Sequence, residues 1–298
     1  ATALVTDSSI LGLLIPPSVI LIVYGWVTET SILACFLATV GPGILVTIFF
    51  SIINLIWAKR FPLKLEPELK KEEKMREIVH RGWKALPALM MPVIILGGIY
   101  GGIMTPTEAA AVAVIYAIPV GFLIYKGLKA KNYYEVAKNS AISVGSIMVM
   151  ILCSLMLSQT FVMLQIPQAI VKTMFGITQN KVILLVLINL LLFFIGMIVN
   201  DLTGVILVAP LLLPLALAIG IHPIHFASIL GVNLAVGGVT PPYASILYLG
   251  MKIGEVEFVE ILRPAMTFLL LGYIPVMILT TFWPPLSLFL PGIMGFLQ

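Results

Sequence analysis

An all-α integral membrane protein with broken helices is the fold class this sequence predicts, and three observations predict it. The first is composition: of 298 residues, 60% are hydrophobic and only 10% charged, with mean hydropathy +1.13, against about 25% charged in a typical soluble domain. The second is pattern. Apolar residues come in long continuous runs rather than in strand-like alternation, which selects a helical bundle over a barrel. The third is that two such runs are interrupted by paired prolines, in "LGLLIPPSVI" (11–20) and "VGGVTPPYAS" (236–245). The net charge of +4 sits in two loops and reads as membrane topology, not as affinity for nucleic acid.

The elements follow in order. Residues 1–30 hold a transmembrane segment broken at Pro16–Pro17. Residues 31–58 form a span kinked at Gly41-Pro42-Gly43. Residues 59–87 carry nine of the seventeen Lys and Arg, interleaved with acids at helical spacing, and predict an amphipathic arm on the cytoplasmic surface. Spans follow at 88–104 and 106–125, joined by "TPTE", in which Thr105 caps, Pro106 takes the first helical position and Glu108 completes a capping box. Gly97 with Gly101, and Gly98 with Gly102, have the spacing of close helix contacts. A second amphipathic arm is expected at 132–140, so 31–140 reads as one block of spans and arms. Residues 141–262 read as a second block. It holds a span to 165, two short apolar arms over 181–220 split by "NDLTG", and a broken span at 224–250. A full crossing needs about 20 residues, so the short arms suit a re-entrant hairpin. Residues 263–298 read as a C-terminal transmembrane helix. The chain opens without Met and without a basic leader, so no signal peptide is visible and it reads as starting inside a membrane segment.

Aligning the proline pairs gives a gap-free offset of 225 residues. Gly12, Pro16, Pro17 and Gly25 match Gly237, Pro241, Pro242 and Gly250. Counting crossings from the basic loops makes the two broken helices antiparallel. Paired interrupted helices in inverted halves point to the binding site of a secondary transporter. Unpaired backbone in lipid costs several kcal/mol per group, so a break persists only where protein, water or a ligand satisfies it. Each proline frees the carbonyl four residues earlier: Gly12 and Leu13 in the first break, Gly237 and Gly238 in the second. Such oxygens, with the Thr240 hydroxyl, suit a small hard cation such as Na⁺. The alternative is a pair of proline kinks that only bend helices.

Asn200 and Asp201 in "NDLTG" have two readings. Within the membrane, Asp201 is a functional residue by default; at the headgroups, the stretch is a polar turn. Thr203 and Gly204 open the next arm, a half-helix N-terminus whose dipole suits a carboxylate. Asp7, Ser8 and Ser9 precede the first break and are weaker candidates for the same cavity. His222 and His225 lack a carboxylate or Cys cluster and read as an interfacial pair, not a metal site. Cys35 and Cys153, mid-helix, read as packing residues.

The stretches "LGLLIPPSVILIVYG" (11–25), "GGIYGGIMTPTEAAAVAVIYA" (97–117) and "GMIVNDLTG…GGVTPP" (196–242) resemble the large membrane (M) subunit of tripartite ATP-independent periplasmic (TRAP) transporters, of the sialic acid or C4-dicarboxylate type. The likeness runs through essentially the whole chain, which looks like the C-terminal two-thirds of that subunit. It implies an elevator-type fold with inverted repeats and re-entrant hairpins in the bacterial inner membrane. It implies uptake of a carboxylate-bearing substrate coupled to two or more Na⁺ ions. The implied partners are a soluble periplasmic binding protein and a small four-helix membrane (Q) subunit, separate or fused. Residues 1–30 and 141–262 would then belong to the transport domain and 31–140 to the scaffold. Asn200, Asp201, Thr203, Gly204 and Ser18 would contact substrate. Gly237, Thr240 and the Tyr243 backbone would hold one Na⁺; Gly12, Ile15 and Pro16 would contribute oxygens to another. The family's first hairpin and scaffold helices are expected ahead of residue 1, supplied by another chain or further residues.

The sequence reading is therefore a Na⁺-coupled symporter for an organic anion. The alternatives are a dicarboxylate carrier that works without a binding protein, an intramembrane enzyme and a channel. No HExxH, GxSxG or paired-aspartate motif favours the enzyme.

Overall fold

The computed structural model describes residues 2–59 and 71–297. Part of the first amphipathic arm, residues 60–70, lies outside the described residues. Among the described residues every regular element is a helix, and seven helical segments are long and apolar enough to cross a membrane. Two compact units emerge, residues 1–58 with 149–298, and residues 59–148.

The first unit opens with a segment in three pieces: α1 (Thr2–Ser8), α2 (Leu11–Leu14) and α3 (Val19–Val27). Helix α4 (Ile32–Ala58) stays continuous through Pro42. The flanking glycines do a different job from the kink expected there. A Cβ on Gly41 would overlap the Leu286 carbonyl, and one on Gly43 would sit 2.9 Å from the Ile15 side chain. Two neighbours thus approach α4 where it has no side chains.

After α7 (Ala130–Met163), whose residues from Val149 onward belong to this unit, comes α8 (Ile166–Ile177). The sequence reading did not assign α8. The hairpin arms are α9 (Lys181–Gly196) and α10 (Asp201–Ala218), followed by α11 (Pro223–Gly237) and α12 (Ser245–Gly254). Helix α10 starts at Asp201, so Thr203 and Gly204 lie inside its first turn.

The C-terminal region differs from the single helix expected over 263–298. Helix α13 (Phe258–Phe268) runs through a π-helical turn (Leu269–Tyr273) into α14 (Ile274–Phe282). After Trp283–Pro284 a separate α15 (Pro285–Ile293) packs back on α4 and α11. Proline at 284 and 285 removes two amides in a row, which ends the helix. Residues 31–58, grouped with 59–140 by sequence, instead pack within this first unit, because the buried stripe of α4 (Ala34, Phe36, Ala38, Val46, Phe50) meets α11, α15 and α3.

The core of this unit gathers Ile10, Leu14, Val46, Phe50, Val236, Val239, Phe268 and Tyr273. The Phe50 ring centre lies 4.9 Å from those of both Phe268, at a tilt, and Tyr273, edge-on, a geometry worth about 0.5–1.5 kcal/mol per aromatic pair. Helices in lipid associate through such packing rather than through escape from water.

In the second unit, α5 (Lys71–Tyr100) runs unbroken through Pro87 and Pro92. The arm and the span expected as two elements are one helix. A turn leads to α6 (Pro106–Pro119). The capping box forms as expected: Thr105 accepts from the Glu108 amide at 3.3 Å, and Glu108 accepts from the Thr105 amide at 2.7 Å. Tyr116 and Tyr125 donate to the carbonyls of Pro87 and Lys84 at 2.8 and 2.7 Å, fastening the hairpin. Among the described residues the glycine pairs serve the turn and not a helix crossing. Gly101 and Gly102 form the turn, Gly102 with φ +68°, and Gly98 leaves room for the folded-back Met104 side chain. The second arm also merges with its span, as the first part of α7.

Candidate functional site

Both proline pairs interrupt their helices. Residues 15–18 and 238–244 are non-helical, so neither break is a mere bend. The Pro16–Pro17 and Pro241–Pro242 bonds are both cis. The breaks meet in space. Leu14, Val236 and Val239 share one buried core cluster, a Cβ on Gly231 would lie 3.6 Å from Leu21, and Tyr24 donates to the Pro223 carbonyl at 2.8 Å. As α3 climbs from 19 to 27 its neighbours on α11 descend. The two half-helices are antiparallel, as the charge pattern predicts.

At the first break, no amide or hydroxyl among the described residues donates to the carbonyls of Gly12, Ile15 or Pro16. Those three oxygens are unspent and available to a cation. Ser18 and Leu13 are occupied with each other. The buried Ser18 hydroxyl donates to the Leu13 carbonyl at 2.5 Å, taking the acceptor that Pro17 leaves without an amide. Ser18 thus braces the break instead of facing an open cavity.

At the second break, the Gly237 carbonyl accepts from the Thr240 amide at 3.0 Å and the Gly238 carbonyl from Ile246 at 3.1 Å. The Thr240 hydroxyl donates to the Val236 carbonyl at 2.8 Å, leaving its lone pairs free to face an ion. Tyr243 presents its backbone: the amide donates to the Met197 carbonyl at 3.1 Å, while its own carbonyl receives no bond among the described residues. Gly237 lies against Gly196 so closely that a Cβ there would overlap the Gly196 backbone. Glycine is required at this crossing because no other residue lets two backbones come so near.

These contacts bring the α9–α10 tip onto the break. Asn200 caps α10, its Oδ1 accepting from Leu202 at 3.1 Å, which satisfies an end amide. Asp201 holds the first helical position. Its Oδ1 is buried and has no hydrogen-bond partner, and it lies 3.7 Å from where a Cβ on Gly238 would be. An unpaired buried carboxylate oxygen is costly to leave without a partner, and this one lies beside a helix break. Gly204 lets α10 settle on Leu234, and Thr203 is half-buried with no side-chain hydrogen bond among the described residues.

Two features escaped the sequence reading. Asn189 and Asn233, each a lone amide in an apolar run, join inside the core: Asn233 Nδ2 donates to Asn189 Oδ1 at 2.8 Å, and Thr281 donates to the same oxygen at 2.9 Å. Polar residues isolated within apolar spans were the available signal. The histidines are not an interfacial pair. His225 is buried, with Nε2 2.7 Å from the Thr280 carbonyl, whereas His222 caps α11 through Nδ1. No cluster of three metal-ligating His, Cys, Asp or Glu occurs among the described residues. Cys35 is a buried packing residue as expected; Cys153 is instead exposed.

Known proteins similar to this chain fall in one family of membrane transporters. The family described as "Tripartite ATP-independent periplasmic transporter, DctM component" matches residues 1–286. The isethionate TRAP transporter permease protein DctMQ of Oleidesulfovibrio alaskensis is 32% identical over 98% of this chain and 45% of its own length. The sialic acid TRAP transporter large permease protein SiaM of Vibrio cholerae is 34% identical over 98% of the chain and 67% of its own. The C4-dicarboxylate TRAP transporter large permease protein DctM of Pseudomonas aeruginosa is 32% identical over the same shares. The chain therefore spans between about half and two-thirds of the length of these relatives.

Proposed function

From the premise that this chain belongs to the DctM-component family of tripartite ATP-independent periplasmic transporters, we propose that it forms the substrate-carrying part of a Na⁺-coupled importer of organic acid anions in a bacterial inner membrane. The observation that carries this reading is the junction of the second break with the hairpin tip. There the Tyr243 amide holds the Met197 carbonyl at 3.1 Å, and Asp201 keeps an unpartnered oxygen beside Gly238.

Na⁺ is a co-transported ion in this reading. At the second break it is held by the Asp201 carboxylate, the Thr240 hydroxyl and the free Tyr243 carbonyl, with Gly237 giving close access. At the first break it meets the carbonyls of Gly12, Ile15 and Pro16. Cation charge at both breaks offsets the cost of drawing an anionic substrate out of water, so substrate and ion load together. Thr203 and Gly204, in the first turn of α10, place a helix N-terminus toward the substrate carboxylate. The loaded unit then moves as a body, in the manner of an elevator. Its partners are a soluble periplasmic binding protein that delivers substrate and a small four-helix membrane subunit, separate or fused.

The relatives' names speak of isethionate, sialic acid and C4-dicarboxylates at nearly equal identity. The shared chemistry is an acid group, sulfonate or carboxylate, and the substrate class stays at that level. The test is accumulation of a panel of such acids by proteoliposomes holding the complete permease, its small subunit and the cognate binding protein. Accumulation that requires an inward Na⁺ gradient is expected. Concentrative uptake indifferent to Na⁺, or mere equilibration across the bilayer, would overturn the reading.

A further inference from the structure

Asp7 is fully buried, and neither of its carboxylate oxygens has a hydrogen-bond partner. It closes α1, ahead of the first break, where the hydroxyl of the buried Tyr273 donates to its backbone carbonyl at 2.6 Å. Tyr273 belongs to the π-helical turn, a distortion that often marks functional sites. The surroundings are apolar: Ile10, Phe50, Phe268 and Leu269 pack around Tyr273.

Among the described residues no cation lies against this carboxylate. The charged groups on the elements packed against α1 are Lys252 and Glu255 on and after α12, and Glu257, Glu260 and Arg263 at the start of and along α13, and all five are exposed. Helix α4 contributes no Asp, Glu, Lys or Arg, and its only titratable side chain, Cys35, lies about three turns from Val46, at the Tyr24 end. Tyr273 is the titratable group that faces Asp7. A metal ion would need several oxygens converging on it, and among the described residues neither Asp7 carboxylate oxygen has a side-chain hydrogen-bond partner. A proton needs none of them. An ionised carboxylate buried alone is so unfavourable that the group takes up a proton instead.

We propose that Asp7 is a proton-binding site of the transport unit, separate from the Na⁺ positions at the two breaks. In this conformation a proton from water is bound to one carboxylate oxygen as an O–H bond. It returns to water only when the unit rearranges and lets solvent reach α1. The binding stands on burial alone; its link to the transport cycle rests on the function proposed above.

Difference infrared spectroscopy of the complete permease in lipid tests the binding without any transport. Asp7→Asn is a neutral isostere that keeps the packing. Loss of one protonated-carboxyl band at neutral pH, relative to the unsubstituted protein, is expected. If Asp7→Asn instead removes an ionised-carboxylate band, the proposal is overturned. The second arm measures uptake against pH at a fixed Na⁺ gradient. The unsubstituted protein is expected to lose activity as pH is raised, at least threefold between neutral and strongly alkaline conditions, with Asp7→Asn flattening that profile. A profile identical in both proteins overturns the link to the cycle. Absence of uptake in both, with the infrared band present, overturns the transport reading and leaves the proton site standing.

Discussion

The amide of Tyr243 donates to the carbonyl of Met197 at 3.1 Å. This bond, with the close approach of Gly237 to Gly196, joins the second break to the tip of the α9–α10 hairpin. It places Asp201, Gly238 and Thr240 in one neighbourhood. Four expected outcomes follow from that geometry and from the hairpin cap of the second unit.

Thr240→Ala removes a buried hydroxyl whose hydrogen is committed to Val236 and whose lone pairs face the break. The Na⁺ concentration giving half-maximal uptake is expected to rise, with little change in maximal rate, and Thr240→Ser is expected to restore it. Sodium titrations of uptake in proteoliposomes check this; an unchanged requirement would remove Thr240 from the ion site.

Asp201→Asn keeps the shape of the side chain and deletes its charge. A charged hydrogen-bonding or ion-pairing group contributes about 1.5–3 kcal/mol, so apparent Na⁺ affinity is expected to fall at least about tenfold. The same titration, backed by Na⁺-dependent protection against thermal unfolding, measures it. Equal protection in both proteins would return Asp201 to the role of a polar turn residue.

Gly237→Ala drives a methyl into the Gly196 backbone, while Gly12→Ala adds one where nothing lies within 4 Å. Overpacking of this kind costs about 1–3 kcal/mol. Thermal unfolding in detergent is expected to show a lower midpoint for Gly237→Ala and none for Gly12→Ala. Equal midpoints would mean that the two backbones separate freely.

Thr105→Ala breaks the capping box at the start of α6. Loss of such a cap costs about 1 kcal/mol, and the effect is expected on unfolding alone, with Na⁺ dependence untouched. A shifted Na⁺ requirement in the uptake assay would contradict a purely structural role for Thr105 and Glu108.

Local chemistry made several of these features legible. Paired prolines flanked by glycine cannot continue a helix, so both breaks were readable, as was the Thr105–Glu108 cap, whose members are three residues apart. The division into two arms was readable because the polar "NDLTG" separates them, although α10, at 18 residues, is itself long and apolar enough to cross a membrane. The boundary expected between the arm ending at 87 and the span starting at 88 does not exist, since α5 runs on through Pro87 and Pro92 as one helix. His225 misled for another reason: "HPIH" looks like an interfacial turn until α14 brings the Thr280 carbonyl to its ring.

What the sequence determined by itself, then, is the list of places where the backbone must leave the helix, since proline, glycine and length act within a few residues. Only the tertiary structure decided what each freed group meets. It matched Gly237 to Gly196, spent the Ser18 hydroxyl on Leu13, left Gly12, Ile15 and Pro16 open, and shut Asp7 away with no partner. Those outcomes depend on which chain-distant surface packs alongside, and packing distances of a few ångströms leave no trace in residue order.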